Sequence, residues 1–277
     1  MANADLGRAL DVARDAVRAG MEALQGAWRP GLRMAADEKE PRDLVTAADR
    51  AAEERIVERL RAAYPGHAIV AEESGRQGGE GRAGPQWVVD PLDGTANYVH
   101  GIPMWAVSVA LLEGDEPVVG VVVDPVREEW FTAVTGEGAW VGDGNGDGRR
   151  MAVSTADPSA GILATGFPFR RREETERYLD AFGELFGRVS DMRRAGSAAL
   201  DLAYVAAGRL EGFWEIGLRR WDIAAGELLV TEAGGRVSDW RGGEDHRTTG
   251  WIAAGSPPAH DLLLEVLAAY APTAEGT

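Results

Sequence analysis

WVVDPLDGTANYVHG, residues 87–101, sets an apolar strand-like run against two carboxylates, Asp90 and Asp93, followed at once by Gly94 and Thr95. Acids at the end of a buried strand repel each other and lose hydration, a penalty on the order of several kcal/mol when nothing compensates it. The pattern therefore asks for a positive charge between them. Hard divalent cations such as Mg²⁺ take oxygen ligands and usually share them with a substrate phosphate. Pro91 fixes one backbone angle and Gly94 permits an unusual one, so this turn can aim both carboxylates and the Leu92 carbonyl into one concavity. A plain turn is the bland alternative, because Asp and Gly are common turn formers.

Composition narrows what surrounds this stretch. The 277 residues suffice for one large domain or two closely packed ones. With 45% hydrophobic and 27% charged residues, the chain reads as soluble and globular. No apolar run reaches the 18 or so residues needed to cross a bilayer. The first twenty residues mix charges with apolar residues at helical spacing, unlike a signal peptide, so a cytoplasmic location and no membrane partner are expected. Cysteine is absent, which leaves only oxygen and His as metal ligands. The net charge of −16 makes nucleic acid an unfavourable partner, since a phosphate backbone would be repelled.

Leu6, Ala9, Leu10, Ala13, Val17, Met21 and Leu24 form one helical stripe, predicting a helix over residues 5–26. Thr46-Ala47-Ala48-Asp49 resembles a capping box that opens a second helix from about Ala47 to Ala63. Strand-like runs follow at 67–72, 87–90, 106–113, 118–124 and 128–134, with a hairpin turn at 114–117 that favours an antiparallel or mixed sheet. Residues 74–86 read as a flexible polar loop. GDGNGDG at 142–148 reads as a domain junction or hairpin tip. Its Asp143, Asn145 and Asp147 match half of a calcium loop, but the twelfth position is Ser154, so a solvated turn is the better reading. Beyond residue 150, strands at 161–166, 212–217 and 251–255 alternate with helices at 173–187, 197–208, 221–233 and 258–270. These features divide the chain into an N-terminal α+β half, 1–150, and a C-terminal α/β half, 151–277.

Further acids stand at the ends of predicted elements. AEESG at 71–75 closes a strand with Glu72 and Glu73, and RRWDIAAGELLVTEAGG at 219–235 places Asp222 at the start of an apolar helix. Taken singly, Asp222 is an acid complementing a helix dipole, and the two glutamates are a solvated strand end. The four histidines show no ligand spacing, and neither GxSxG nor a P-loop is present. His100 reads as a packing residue.

Together, AEESG, WVVDPLDGTANYVHG and WDIAAGELLVTEAGG, with DLVTAAD at 43–49 and RRAGSAALDLAYVAAGRLEGFWEIG at 193–217, resemble the inositol monophosphatase family of Mg²⁺-dependent, lithium-sensitive phosphatases. That family lies within the fructose bisphosphatase-like superfamily. The resemblance implies a layered αβαβα sandwich, two or three Mg²⁺ per site and a homodimer. It assigns Glu72, Asp90 and the Leu92 carbonyl to a first ion, and Asp90, Asp93 and Asp222 to a second. Glu72 also serves a third, weaker ion. Thr95 and Asp49 match residues beside the attacking water, and Lys39 and Asp43 match a segment that closes over the metals.

The reaction so implied is hydrolysis of a phosphate monoester with no covalent enzyme intermediate. Asp93 and the Gly94 and Thr95 amides would face the phosphate. Gly196, Ser197, Ala198 and Glu215 would line the pocket for the alcohol, with Arg194 or Arg219 nearby. A carboxylate at 215 favours a neutral polyol over a second phosphate, which points to inositol monophosphate. Histidinol phosphate, fructose bisphosphate, nucleotide 3'-phosphates and NADP are alternatives within the same motifs. A different class of reading is a regulatory protein that keeps the fold and works through partner binding, as some bacterial members do with transcription or RNA machinery.

Overall fold

The computed structural model describes residues 3–40, 43–79, 84–145 and 148–272, with backbone alone for 3–4, 38–40 and 43–45. Leu6, Ala9, Ala13, Val17 and Leu24 are all buried along one side of α1 (Asn3–Ala27), as their spacing predicts. A short hairpin of β1 (Asp37–Glu40) and β2 (Asp43–Val45) leads to α2 (Ala47–Ala63). The Thr46 hydroxyl accepts from the Ala48 and Asp49 amides at 3.1 and 3.3 Å, and Asp49 Oδ2 accepts from the Thr46 amide at 3.0 Å. This reciprocal cap starts α2 where the sequence places it.

The first half continues through β3 (Ala68–Ala71), β4 (Gly75–Gln77), β5 (Gln86–Asp93) and α3 (Thr95–Val99). An antiparallel meander follows, comprising β6 (Ala106–Glu113), β7 (Glu116–Asp124), β8 (Glu129–Val134), β9 (Gly138–Gly142) and β10 (Arg149–Arg150). These strands form an eight-stranded sheet in the order β10-β9-β8-β7-β6-β5-β3-β4, parallel only between β3 and β5.

The second half comprises β11 (Ile162–Thr165), α4 (Thr175–Phe186), β12 (Asp191–Arg193), α5 (Ala198–Ala206) and β13 (Gly212–Glu215). It closes with α6 (Arg220–Glu232), β14 (Arg236–Ser238), α7 (His246–Thr249), β15 (Ile252–Gly255) and α8 (Pro257–Leu267). Its five strands run β12-β11-β13-β15-β14 in a mixed sheet.

Alternate residues of the strands sort into separate cores, and this sorting defines the layers. On the eight-stranded sheet, Val89, Val107, Val109 and Val121 pack with α1 and α2. Val88, Ala110, Val122 and Phe131 face the other way, onto Leu202 of α5 and Ile223 and Leu229 of α6. Ala164, Phe213 and Ala254 of the smaller sheet join that same core, whereas Leu163, Trp214 and Ala253 pack with Tyr178 and Leu185 of α4 and Leu263 of α8. The result is an αβαβα sandwich. Strands covered on both faces need apolar residues at every position, which is why β6 and β7 read as continuous runs rather than alternating ones.

Several short elements escaped the sequence reading. Gly75–Gln77 lies within the stretch read as a flexible loop, yet it adds antiparallel to β3, and β12, β14 and α7 were likewise unexpected. Segments of three or four residues gain order from the edge they join rather than from an internal pattern. At 142–148 the hairpin reading holds, with Arg149 and Arg150 pairing to Val141 and Trp140. Asp147 of the calcium-loop match lies outside the described residues.

Candidate functional site

Asp90 shares the face of β5 that carries Val88 and so points toward the middle helix layer. In a regular strand a residue three positions on points the opposite way. Here the register against β6 passes from Asp90↔Ser108 to Asp93↔Ala106, so three steps on one strand oppose two on the other. That β-bulge brings Asp93 back to the side of Asp90. Pro91 occupies the bulge, where its missing N–H forfeits no ladder bond, and the Leu92 amide donates to Asp90 Oδ1 at 3.0 Å.

Asp222 arrives from the first turn of α6, where its Oδ2 accepts from the Arg219 amide at 2.5 Å. The helix-start role and membership in the cluster therefore coexist. One carboxylate oxygen from each of Asp90, Asp93 and Asp222 lies within 4.8 Å of the others. Glu72, at the end of β3, lines the same cleft, with its Oε1 3.9 Å from Arg170 Nη2. Its side chain is largely buried, so the solvated-strand-end reading is displaced.

Each loop is held from behind. Glu53 of α2, 4% exposed, accepts from the Glu73 amide at 2.7 Å and the Ser74 amide at 2.9 Å, fixing the turn that carries Glu72. Asp49, one helical turn earlier, lies 3.3 Å from the Thr95 hydroxyl, which is also 3.1 Å from the Leu92 carbonyl oxygen. Asp93 Oδ2 accepts from the Ser197 hydroxyl at 2.6 Å and the Ala199 amide at 2.8 Å. Gly94 has φ of 92°, and a Cβ there would approach the Met104 and Gly196 carbonyl oxygens to 3.0 and 3.1 Å. A side chain at 94 would push apart the two halves that meet there.

The cleft so formed has a volume of about 190 Å³, suited to a small metabolite. Gly196, Ser197, Ala198 and Glu215 line it with Arg194, so Glu215 is a cleft residue and not a surface acid. Arg219 is not part of this lining. Lys39 and Asp43 fall on β1 and β2, and their side chains lie outside the described residues. Sequence reasoning missed Glu53, Arg170 and Asp201. For Glu53 the spacing of four from Asp49, on the buried side of α2, was an available signal.

Burial dominates the electrostatics. It pushes Asp93 up to about 6 against the pull of Ser197 and Ala199, and Asp222 up to about 7 with added repulsion from Asp93 and Glu72. Asp90 is held well above the ordinary carboxylate range by burial and then by Glu72, Asp93 and Asp222. Its Oδ2 is buried and, among the described residues, takes no hydrogen bond from a permanent donor, with the Glu72 carboxyl beside Asp90. An orphaned carboxylate oxygen among further acids fits a divalent cation with oxygen ligands.

A layered fold whose acids meet between its two sheets is the arrangement the sequence motifs imply. The chain belongs to the inositol monophosphatase family, whose model matches residues 5–272. It is 50% identical over 230 residues to a protein of Escherichia coli (strain K12) named Nus factor SuhB, covering 83% of this chain and 84% of that one. Among solved structures, the extragenic suppressor protein suhB of Bartonella henselae is 39% identical with a TM-score of 0.87, covering 94% of this chain and 98% of the other. An inositol monophosphatase from Anabaena (Nostoc) sp. PCC 7120 is 38% identical with a TM-score of 0.85, covering 98% and 99% of the two chains. Among the described residues, no helix is long and apolar enough to cross a membrane.

The raised carboxylates give the metal-free protein a signed pH dependence. Protons bind these acids more tightly in the folded state, from their unfolded value of about 4 up to about 6 for Asp93 and about 7 for Asp222. Their contribution to stability is therefore full only below about pH 4 and is lost progressively as pH rises from there through about 6 for Asp93 and about 7 for Asp222. In EDTA the melting temperature should fall between about pH 5 and about pH 8, and Asp222→Asn should shrink that fall. An equal fall in wild type and variant would contradict this assignment.

Proposed function

We propose that this protein is a Mg²⁺-dependent phosphate monoester hydrolase acting by preference on inositol monophosphate. The observation that carries the reading is the buried, donor-free Oδ2 of Asp90 in a carboxylate cluster drawn from β5 and α6. Glu72, Asp90 and the Leu92 carbonyl would hold one ion, and Asp90, Asp93 and Asp222 a second, with Glu72 available to a third. When bound, such ions lower the pKa of water and offset charge on phosphate and leaving oxygens. Residues 1–150 form the metal-binding half in this reading, and residues 151–277 contribute Asp222 and the substrate pocket.

The remaining roles fall to the chain's own groups. Thr95 donates its hydroxyl hydrogen bond toward Asp49 or the Leu92 carbonyl, leaving a lone pair to accept a hydrogen bond from, and so orient, a water beside Glu72. The Gly94 and Thr95 amides suit a phosphate oxygen. Ser197 donates to Asp93 and so acts by positioning it, while Gly196, Ala198 and Glu215 face the alcohol. A homodimer, inhibition by lithium and a cytoplasmic location belong to the same reading.

The relatives named Nus factor SuhB favour a second reading, in which this chain works through a partner, with or without turnover. The net charge of −16 argues for a protein partner over direct contact with a nucleic-acid backbone. Asp93→Asn separates the two, because a cellular phenotype that survives this change does not depend on hydrolysis.

EDTA should abolish turnover and Mg²⁺ restore it, with kcat/KM highest for inositol monophosphate across a panel including histidinol phosphate and fructose bisphosphate. Full activity without metal would overturn the mechanism, and a tenfold preference for another panel member would overturn the substrate. Asp90→Asn should cost about a thousandfold in turnover, the equivalent of losing several kcal/mol of metal-borne stabilisation, with no loss in melting temperature. A large drop in melting temperature would make Asp90 structural.

A further inference from the structure

The cleft contains an acid that stands outside the Asp90, Asp93 and Asp222 cluster. Asp201, on α5 one turn after Ser197, is 2% exposed and lines the cleft together with Glu215. No donor among the described residues bonds to its carboxylate. Its own backbone amide donates to the Ser197 carbonyl, as expected inside a helix. The nearby Thr165 hydroxyl is engaged at 3.0 Å with the Tyr178 hydroxyl. Arg194 rests its guanidinium over the Phe167 and Phe169 rings, 5.5 and 5.3 Å from their centroids, and forms no ion pair with either acid.

Glu215 also lacks a donor, and its position is set by the backbone. A Cβ on Gly166 would come within 2.0 Å of the Glu215 carboxyl carbon, so that acid lies flat against a glycine and faces the cleft. Asp201 is buried and Glu215 half-buried, and neither takes a hydrogen bond from the described residues, so the oxygens they turn to the cleft await donors from a ligand. A protein interior with no use for such a pair replaces it by apolar residues, usually at a gain in stability. Burial, then Glu215 and Asp93, also hold Asp201 well above the ordinary carboxylate range against the opposing pull of Arg194.

We infer that Asp201 is a specificity-determining residue which, together with Glu215, accepts hydrogen bonds from two hydroxyls of the substrate's alcohol half. The inference rests on the phosphatase reading above and deepens it. The site selects a polyol over a simple alcohol because only a molecule with several donors satisfies both acids. A substrate lacking those donors would cover both acids and leave them unpaired, and a site built around such acceptors rejects the analogue strongly. Ser197 and Ala199, on the same turn of α5, bond to Asp93, so one helix start aligns alcohol recognition with the acid cluster.

The test compares inositol 1-phosphate with cyclohexyl phosphate, the same ring stripped of its hydroxyls, in the Mg²⁺-loaded full chain. Wild type should prefer the inositol ester in kcat/KM by about a hundredfold, the scale of two ordinary hydrogen bonds. Asp201→Leu should cut that preference at least about tenfold while raising the melting temperature of the substrate-free protein, and Asp201→Asn should fall between the two. A wild-type enzyme that hydrolyses both esters equally overturns the inference, as does a preference unmoved in Asp201→Leu or a melting temperature that drops. A wild-type protein that hydrolyses neither ester overturns the phosphatase reading itself.

Discussion

Mutual repulsion among Asp90, Asp93 and Asp222 is the constraint that the rest of the molecule is organised to withstand. Their oxygens approach within 4.8 Å at a place where water is largely excluded, and carboxylates so placed push each other's protonation upward. The fold opposes that push with fixed donors. The Leu92 amide serves Asp90, the Ser197 hydroxyl and Ala199 amide serve Asp93, and the Arg219 amide serves Asp222. Among the described residues, Asp90 Oδ2 is the oxygen of the three acids that is both buried and without a hydrogen-bond partner.

The layered architecture explains why these residues can meet. The middle layer, α5 and α6, packs on both sheets through one continuous core that includes Val122, Leu202, Leu229 and Phe213. Asp222 and Ser197 are therefore referenced to the β5 bulge through rigid packing rather than through loops, which suits a site that tolerates little displacement. From the other side, α2 reaches both acid-bearing turns with two carboxylates one helical turn apart, Asp49 toward Thr95 and Glu53 toward the Glu73 and Ser74 amides.

Much of this was legible in the sequence, and what was not has physical causes. The long helices and buried strands declare themselves by period and by apolar content, and the clustered acids stand in distinctive local strings. The bulge between Asp90 and Asp93 is less visible, because a separation of three predicts opposite faces until the partner strand's register is known. Glu53 and Asp201 carry no local signature. Each looks like one more helical acid, and only the tertiary packing of α2 and α5 shows that one braces a loop and the other is enclosed. β4, β12 and β14 owe their order to neighbouring edges, which a linear reading does not contain.

Partner binding and catalysis need not compete for the same residues, since the acid cluster sits inside the cleft while relatives at 50% identity bear a name tied to a factor rather than to a reaction. What both readings share is the acid cluster, to which the phosphatase reading adds the need for a cation. Anomalous diffraction from crystals soaked in Mn²⁺ tests that need most directly. The account predicts strong peaks bonded to Asp90 and bridging to Asp93, Asp222 and Glu72, whereas a cleft without a peak at Asp90 under saturating Mn²⁺ would contradict it.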